Sequence, residues 1–311
     1  MRFLALLVNP TVLAMAALLM SVVWMLKDEK DKTRPILVMA LVLNLFYGFL
    51  LTVVMGRENG IVPWKYDYIL LKLDDSLGLS AAPVAAWLQG AARVPLLGIY
   101  QWMVPMMICW YLVSRNRKGQ GSVILAYVAE MVAGPVLYAI LPACGPLYAF
   151  GRQWLNPPDV QANAIRLSGM PNAFPSLHVG TALVFVFFAQ GKLWRAVSLA
   201  FLACTALATI STGEHYVIDL VAGLAFGCFA ASIGKREIRN AILYSGVVLL
   251  WTLSVRFDYA FLIDHAVVLR TFAALTVGMA MVAVGLEWSS ATRAADGARM
   301  VAKELRVAGD A

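Results

Sequence analysis

The sequence predicts an all-α protein, a polytopic bundle of about nine membrane helices. Of its 311 residues, 61% are hydrophobic and only 14% are charged, a composition outside the usual range of soluble domains. Crossing a hydrocarbon core of about 30 Å takes roughly 20 helical residues. Apolar runs that approach or reach this length lie at 3–26, 35–56, 95–114, 122–144, 175–191, 195–212, 215–234, 241–256 and 266–286.

The first apolar run has some features of a signal peptide, since it follows Arg2. It is long, however, contains Asn9 and Pro10, and has no clear small-residue cleavage site before Lys27. We therefore expect a retained membrane span.

Lysine and arginine are divided unevenly between alternate loops. Sixteen of them fall in 27–34, 115–118, 192–195, 235–239 and 293–306, whereas the longer alternate segments hold eight. The first set is therefore expected on the cytoplasmic side, with the amino terminus and the segments 57–94 and 145–175 facing outward. The net charge of +7 follows from this bias. Because the cations are spread over short loops, nucleic-acid binding is not expected.

The segments between the runs differ in character. Residues 61–93 alternate apolar residues with Asp67, Lys72, Asp74 and Asp75, which favours helices lying along the membrane surface over a plain connecting loop. In 145–175, Gly145, Pro146 and further glycines and prolines are expected to break any helix. The charged tail 287–311 is expected to form a short surface helix or to be disordered.

The cysteines show no disulfide or metal spacing and are expected to be packing residues: Cys109, Cys144, Cys204 and Cys228.

Two short motifs contain two of the chain's three histidines. Pro175-Ser176-Leu177-His178 and His215-Tyr216-Val217-Ile218-Asp219 each stand at the predicted outer start of a membrane helix. One intervening membrane hairpin would place the two helix amino termini side by side. Free N–H groups and a partial positive charge make such termini a suitable phosphate site.

The residues of these motifs suit nucleophilic chemistry. His215 and Asp219 are four residues apart and share a helix face, so the carboxylate can hold one imidazole nitrogen and leave the other free to attack. His178 would then protonate a leaving oxygen, and Ser176 would donate a hydroxyl to a bound phosphoryl group. Alternatively, a His-x-x-x-Asp pair is a buried structural pair or two metal ligands. A metal site needs a third ligand, which only the distant Asp264 and His265 could supply.

These motifs resemble a known family. Pro175-Ser176-Leu177-His178 and the stretch from Thr212 to Gly223 are similar to the second and third signature motifs of the type 2 phosphatidic acid phosphatase superfamily. The likeness is closest to its inositol phosphorylceramide synthase branch, with sphingomyelin synthases as cousins. Tyr68 to Leu79 also resembles the surface helix that precedes the core in that branch. The resemblance covers roughly residues 60–234 and implies a six-helix catalytic core, a phosphohistidine on His215, Asp219 as its partner and His178 as general acid.

The chain departs from the phosphatases at two places. Their first motif, with a lysine and an Arg-Pro pair, does not occur between 115 and 175, and Thr209 stands where they have an arginine six residues before the histidine. Transfer from a phosphate monoester depends strongly on cations that stabilise the phosphoryl oxygens. Fewer arginines, with Glu214 beside the nucleophile, therefore favour a phosphodiester substrate, which has one negative charge.

Other residues are weaker candidates. Arg152 and Arg166 are the best candidates for contacting the substrate phosphate, although each could equally be a solvated loop charge, and Gly213 belongs to the motif as a substrate-binding candidate. Glu130 lies inside a span, where an ionisable group is either functional or buried and neutral. His265 is expected to have a structural or interfacial role.

The expected organisation has four parts: N-terminal membrane helices (1–60), a catalytic membrane core with outer surface helices (61–234), C-terminal membrane helices (235–286) and a cytoplasmic tail (287–311).

The expected function is transfer of a phospho-head group, such as phosphoinositol, from a phospholipid donor to a lipid alcohol acceptor such as ceramide. The alternatives are a lipid phosphate or polyprenyl diphosphate phosphatase, and an inactive transporter or scaffold. No metal or other cofactor is expected. Short loops fit a bacterial inner membrane, with the active site facing the periplasm.

Overall fold

The structure is a computed structural model that describes residues 63–79, 81–88 and 122–309, together with positions 98, 99, 103, 106 and 110. The side chains of 81–83 and 291–309 are not described. The predicted spans at 3–26 and 35–56 lie outside the described residues, as does most of the span at 95–114.

Helices dominate the described part of the chain, as the sequence predicts. The elements, in chain order, are β1 (Trp64–Lys65), α1 (Asp67–Leu77), α2 (Ala81–Leu88), α3 (Val123–Ile140), α4 (Pro146–Phe150), a 3-10 turn (Gly151–Gln153), β2 (Ile165–Arg166), α5 (Leu177–Phe188), α6 (Gly191–Thr212), α7 (Val217–Lys235), α8 (Ile238–Phe257), α9 (Tyr259–Asp264) and α10 (Ala266–Gly309). The two strands form one antiparallel pair, in which Trp64 is opposite Arg166 and Lys65 is opposite Ile165.

Five of the described helices are long and apolar enough to cross a membrane: α3, α6, α7, α8 and the first part of α10, Ala266–Ser290. They correspond to five of the predicted runs and are consistent with an integral membrane protein. The run at 175–191 forms α5, which has 12 residues and is shorter than the roughly 20 that a full span requires. The total of nine spans and the six-helix core remain predictions.

The segments between the spans are more ordered than the sequence suggests. The described residues of 61–93 form α1 and α2 after the short strand β1, so helices occur in this segment as predicted. Their position along the membrane surface remains a prediction. Most of 145–175 has no helix, as predicted, but the five-residue α4 forms there with Pro146 as its first residue. Proline is tolerated at that position, since a helix's first N–H has no partner within the helix. In the tail, α10 continues as one helix to Gly309.

Helix α7 is at the centre of the bundle. Most of its residues are buried, and it packs against α3, α5, α8 and α10. Its approach to α5 is close because glycines stand at the crossing. A Cβ atom on Gly223 would lie 2.6 Å from the Ser176 carbonyl oxygen, and one on Gly227 would lie 2.6 Å from the Gly180 carbonyl oxygen. Small residues four apart allow this kind of backbone contact between membrane helices.

The two helices also meet at their amino ends. The backbone N–H of Ser176, the residue before α5, donates to the carbonyl oxygen of Asp219 in the first turn of α7, at 3.0 Å. The helix between them, α6, supplies the return connection. The structure thus brings the two predicted helix starts side by side.

We expect Gly227→Ala to destabilise the protein, because the new methyl group meets backbone that must shift. Overpacking of this kind costs about 1–3 kcal/mol, which would lower the midpoint of thermal unfolding in detergent. Gly246→Ala in α8 is the matched control, since a Cβ atom there meets nothing within 4 Å. The control should be neutral or slightly stabilising. Equal midpoints for the two variants would contradict the close α5–α7 contact.

Candidate active site

His215 lies just before α7, with its side chain only 3% exposed. Its Nδ1 atom is 2.8 Å from the carbonyl oxygen of Ala173. A carbonyl oxygen can only accept, so Nδ1 must donate its hydrogen in this contact. In the neutral imidazole, Nε2 is then left with the lone pair. His215 therefore has one nitrogen fixed by the backbone and one available as a nucleophile.

Asp219 is close to His215, but it is not the nearest acceptor. Its Oδ2 atom is 3.4 Å from Nδ1 of His215, longer than the usual N–H···O hydrogen bond. The same oxygen accepts from the backbone N–H of Tyr216 at 2.8 Å. The predicted proximity of the two residues is present, whereas the predicted orienting contact is made mainly by the Ala173 carbonyl. Asp219 Oδ1 is buried and has no hydrogen-bond partner among the described residues.

His178 faces His215 across the junction of the two helices. Their ring centroids are 5.9 Å apart and the rings are inclined at 68°. His178 is in the first turn of α5 and is partly exposed, whereas His215 is buried. The two imidazoles are therefore close enough to be parts of one site.

Ser176 and Gly213 have structural roles in this arrangement. The buried Ser176 hydroxyl accepts from the backbone N–H of Val179 at 3.4 Å and caps α5. Gly213 ends α6 with a φ of +72°, and a Cβ atom there would lie 3.0 Å from side-chain atoms of Leu147 and Trp154. Their predicted contacts with substrate remain predictions.

The expectation of free N–H groups at the amino end of α7 was wrong for its first two residues. Asp74 of α1 accepts from the N–H of Val217 at 2.7 Å and from that of Ile218 at 2.9 Å. This carboxylate occupies the position in which a phosphate was expected. The reason is tertiary, since Asp74 is 143 residues before Val217.

A second buried aspartate of α1 holds the surrounding loops. Asp67 accepts from the N–H of Gly145 at 2.8 Å and from the hydroxyl of Tyr216 at 3.1 Å, and both of its oxygens are near the N–H of Cys144. Burial raises the pKa of Asp67 to about 6, although these hydrogen bonds oppose the shift. Asp67 thus connects the start of α7 to the loop before α4.

The predicted loop arginines are outside this cluster of contacts. Arg152 is exposed in the 3-10 turn, and the guanidinium of Arg166 stacks over the Trp64 ring at 5.1 Å. Lys65, one of the eight cations counted in the segments expected to face outward, is fully buried. Burial and the neighbouring Asp67 raise the pKa of the Cys144 thiol, and the positive charge of Lys65 opposes that rise. Lys65 and Asp67 therefore both influence the loop that contains Cys144.

Sequence reasoning used Asp67 and Asp74 only as polar residues of a surface helix, and it gave no role in the site to them or to Lys65. The two aspartates are seven residues apart and therefore lie on one helix face, which they share with the buried Leu70, Leu73 and Leu77. The seven-residue spacing of the two aspartates, on the same face as the leucines, could have predicted from the sequence that both carboxyl groups are buried. No comparable sequence pattern predicted the burial of Lys65.

Glu130 and His265 lie apart from the paired imidazoles. Glu130 of α3 is fully buried, and its Oε2 accepts from the Thr181 hydroxyl of α5 at 2.6 Å. Thr181 is three residues after His178, so Glu130 lies about one helical turn below the site. His265 is in the exposed turn after α9 and stacks on Phe261 with ring centroids 4.2 Å apart.

No metal-binding group of three or more His, Cys, Asp or Glu side chains occurs in the part of the chain that the structure describes. The absence of a resident metal remains an expectation. Among the described residues, the chemistry that the site offers is that of the imidazoles and their neighbouring carboxylates.

The electrostatic environment keeps His215 neutral at physiological pH. Burial lowers its pKa to about 4, although the nearby Glu214 carboxylate and the Ala173 carbonyl act in the opposite direction. A neutral imidazole with a free nitrogen, beside a second imidazole, can form a covalent bond to an electrophile while the second ring transfers a proton.

Comparison with known proteins identifies one family. A family model described as the PAP2 superfamily matches residues 68–233, more than half of the chain. The matched range includes Asp74, His178, His215 and Asp219. No curated protein and no solved structure matches the chain significantly.

We expect His215 to remain reactive toward diethyl pyrocarbonate, which modifies neutral imidazole, at pH values where an ordinary histidine is protonated. As pH falls, labelling of His215 should decline with a midpoint near 4. In the denatured chain the same residue should show a midpoint of about 6.5. Mass spectrometry of the peptide containing His215 measures both profiles, and coincident midpoints would contradict the buried, neutral state.

Proposed function

Because the chain belongs to the PAP2 superfamily, shown by the match over residues 68–233, we propose that it is a membrane phosphotransferase acting between lipids. Membership supports an enzyme that acts on phosphate esters, of the lipid phosphatase or phosphotransferase type. The proposed reaction moves a phospho-head group from a phospholipid to a lipid alcohol. Phosphoinositol as the head group and ceramide as the acceptor follow from the likeness of the two histidine motifs to inositol phosphorylceramide synthases.

The observation that best supports this proposal is the pairing of His215 with His178. Nδ1 of His215 is held by the Ala173 carbonyl at 2.8 Å, and the other ring lies 5.9 Å away between centroids. One imidazole is thus prepared to attack and the other to transfer a proton.

In the proposed first step, Nε2 of His215 attacks the phosphorus of the donor phosphodiester. The bond from phosphorus to the diacylglycerol oxygen breaks, and the protonated His178 gives its proton to that oxygen. Burial and the neighbouring His215 lower the pKa of His178, so the proposed step requires the anionic phosphodiester to favour its imidazolium form. The product is a phosphohistidine that retains the head group, and Asp219 stabilises the charged imidazole.

In the second step the acceptor lipid replaces the departed diacylglycerol. His178, now neutral, takes the proton of the acceptor hydroxyl, whose oxygen attacks the phosphohistidine. The bond from phosphorus to Nε2 breaks, and both histidines return to their initial states. Water in place of the acceptor would make the same enzyme a phosphatase.

The surroundings of His215 support a diester over a monoester. Thr209 is fully buried, and its hydroxyl donates to the Ala206 carbonyl at 2.7 Å, so this position provides packing in place of a cation. The Glu214 carboxylate adjoins the nucleophile and accepts from the Tyr148 hydroxyl at 3.3 Å. A negative charge there repels a dianionic monoester more than a monoanionic diester.

The proposed location of the reaction is the extracytoplasmic face of a bacterial inner membrane. The uneven distribution of lysine and arginine supports this orientation. The proposed partners are thus two membrane lipids, a phospholipid donor and a lipid alcohol acceptor, and no nucleic acid.

We expect purified protein in mixed micelles to form a new phosphorylated lipid from fluorescent ceramide or diacylglycerol only when a phospholipid donor is present. Phosphatidylinositol should be the best donor in a panel, and thin-layer chromatography or mass spectrometry would identify the product. Release of free phosphate from phosphatidic acid, without acceptor product, would assign the protein to the phosphatases. If neither product forms, the result would support the inactive transporter or scaffold.

Replacement of the two site histidines should separate their roles. We expect His215→Ala to lower turnover by at least about 10⁴-fold, because no nucleophile remains, and His178→Ala to lower it by about 10²–10⁴-fold, the usual effect of a general acid. His265→Ala is the matched control and should retain turnover, since this exposed histidine lies outside the site. Full activity of His215→Ala would overturn the covalent mechanism.

A further inference from the structure

We propose that Asp74 is a positioning residue for His215, acting through the start of α7. Asp74 is on α1, outside the motifs that contain the two histidines, and it reaches the segment directly after His215. The inference depends on the proposed function only for the catalytic role of His215. The geometric part stands on the contacts of Asp74 itself.

Each oxygen of Asp74 has its own backbone donor. Oδ2 accepts from the N–H of Val217 at 2.7 Å, and Oδ1 accepts from that of Ile218 at 2.9 Å. The side chain is almost completely buried, and a buried carboxylate is tolerated only when it is well compensated. Here two backbone hydrogen bonds and the positive end of α7 provide the compensation, and these hydrogen bonds oppose the rise in the pKa of Asp74 that burial causes. We call this pair of hydrogen bonds, from Val217 and Ile218 to Asp74, the Asp74 clamp. It fixes the backbone two and three residues after His215.

The residues on either side of His215 are also held by contacts that lead back to α1. Tyr216 donates its hydroxyl to Asp67, the other buried aspartate of α1. Glu214 lies against the backbone of Gly145, where an added Cβ atom would collide with the Glu214 carbonyl oxygen. Gly145 in turn donates its N–H to Asp67 at 2.8 Å. His215 thus lies in a short segment whose flanks depend on the two α1 aspartates.

Asp74 is not placed to bind the phosphate of a substrate. Its two oxygens occupy the two N–H groups of α7 that could have bound an anion. Loss of Asp74 should therefore change the alignment of His215 more than the affinity for lipid. A misplacement of about 1 Å can cost about 10²-fold in rate, so the expected effect is on kcat, with KM little changed.

Helix α1 has other attachments that should keep it folded without Asp74. Leu70 and Leu73 are completely buried. Lys72 donates to Asp159 at 2.6 Å, and the Nε atom of Arg270 donates to the Ser76 carbonyl at 2.9 Å. A single substitution of Asp74 is thus expected to alter the clamp and leave the helix in place.

The first test compares Asp74→Ala, Asp74→Asn and Asp75→Asn in the full chain. Asp75 is the matched control, because it is the neighbouring residue on α1, is 53% exposed and pairs with Lys72 at 3.9 Å. We expect kcat to fall by about 10²-fold for Asp74→Ala, less for Asp74→Asn, whose amide oxygen still accepts one N–H, and not for Asp75→Asn. KM should stay within about twofold of wild type, as expected when binding of the ground state is unaffected. An unchanged kcat for Asp74→Ala, or an equal loss for Asp75→Asn, would overturn the inference.

The second test needs no lipid substrate, so it separates this inference from the proposed function. Hydrogen exchange of the amides of Val217 and Ile218 should be faster in Asp74→Ala than in Asp75→Asn. Labelling of His215 by diethyl pyrocarbonate should change by several-fold in the same variant, with labelling of His265 unchanged. If wild type shows no lipid turnover but these local changes occur, the proposed function fails and the positioning of His215 by Asp74 stands. Unchanged exchange and labelling, or an equal change at His265, would overturn the positioning itself.

Discussion

The contact between the amino ends of α5 and α7 is the interaction on which the site depends. The N–H of Ser176 donates to the Asp219 carbonyl at 3.0 Å, and the backbones continue close together because Gly223 and Gly227 lack side chains at the crossing. His178 follows Ser176 by two residues, and Asp219 follows His215 by four. One backbone hydrogen bond and two glycines therefore set the distance between the two imidazoles. Without this contact the two motifs would belong to separate helices with no common chemistry.

Burial gives the paired imidazoles their chemical character. Removing His215 from water disfavours its charged form, and the Ala173 carbonyl selects the tautomer in which Nε2 is free. The neighbouring carboxylates would be costly in this environment if they had no donors. Asp67 and Asp74 instead accept from backbone N–H groups of the loop before α4 and of the start of α7. The carboxyl groups around the site are thus compensated locally by backbone donors.

Apolar packing and polar contacts have different functions in the structure. Apolar packing centres on α7, which is enclosed by α3, α5, α8 and α10, and large apolar side chains on α8 and α10, such as Leu250 and Leu275, point away from the protein, as expected for helices in lipid. Polar contacts instead gather at one end of the bundle, where α1, the loop before α4 and the start of α7 meet. There a small number of hydrogen bonds between distant parts of the chain fix the backbone around His215.

The sequence by itself determined the helical class, five of the apolar helices and the two histidine motifs, because hydropathy and residue spacing are local properties of the chain. It also predicted that His178 and His215 would meet, since one hairpin joins the helices that they begin. The tertiary structure decided what surrounds them. Ala173 replaces Asp219 as the nearest acceptor for His215, Asp74 closes the helix end that seemed free for phosphate, and Lys65 is buried although it reads as a loop cation. These contacts join residues tens to more than a hundred positions apart, and such pairings depend on how the helices pack, which no local pattern records.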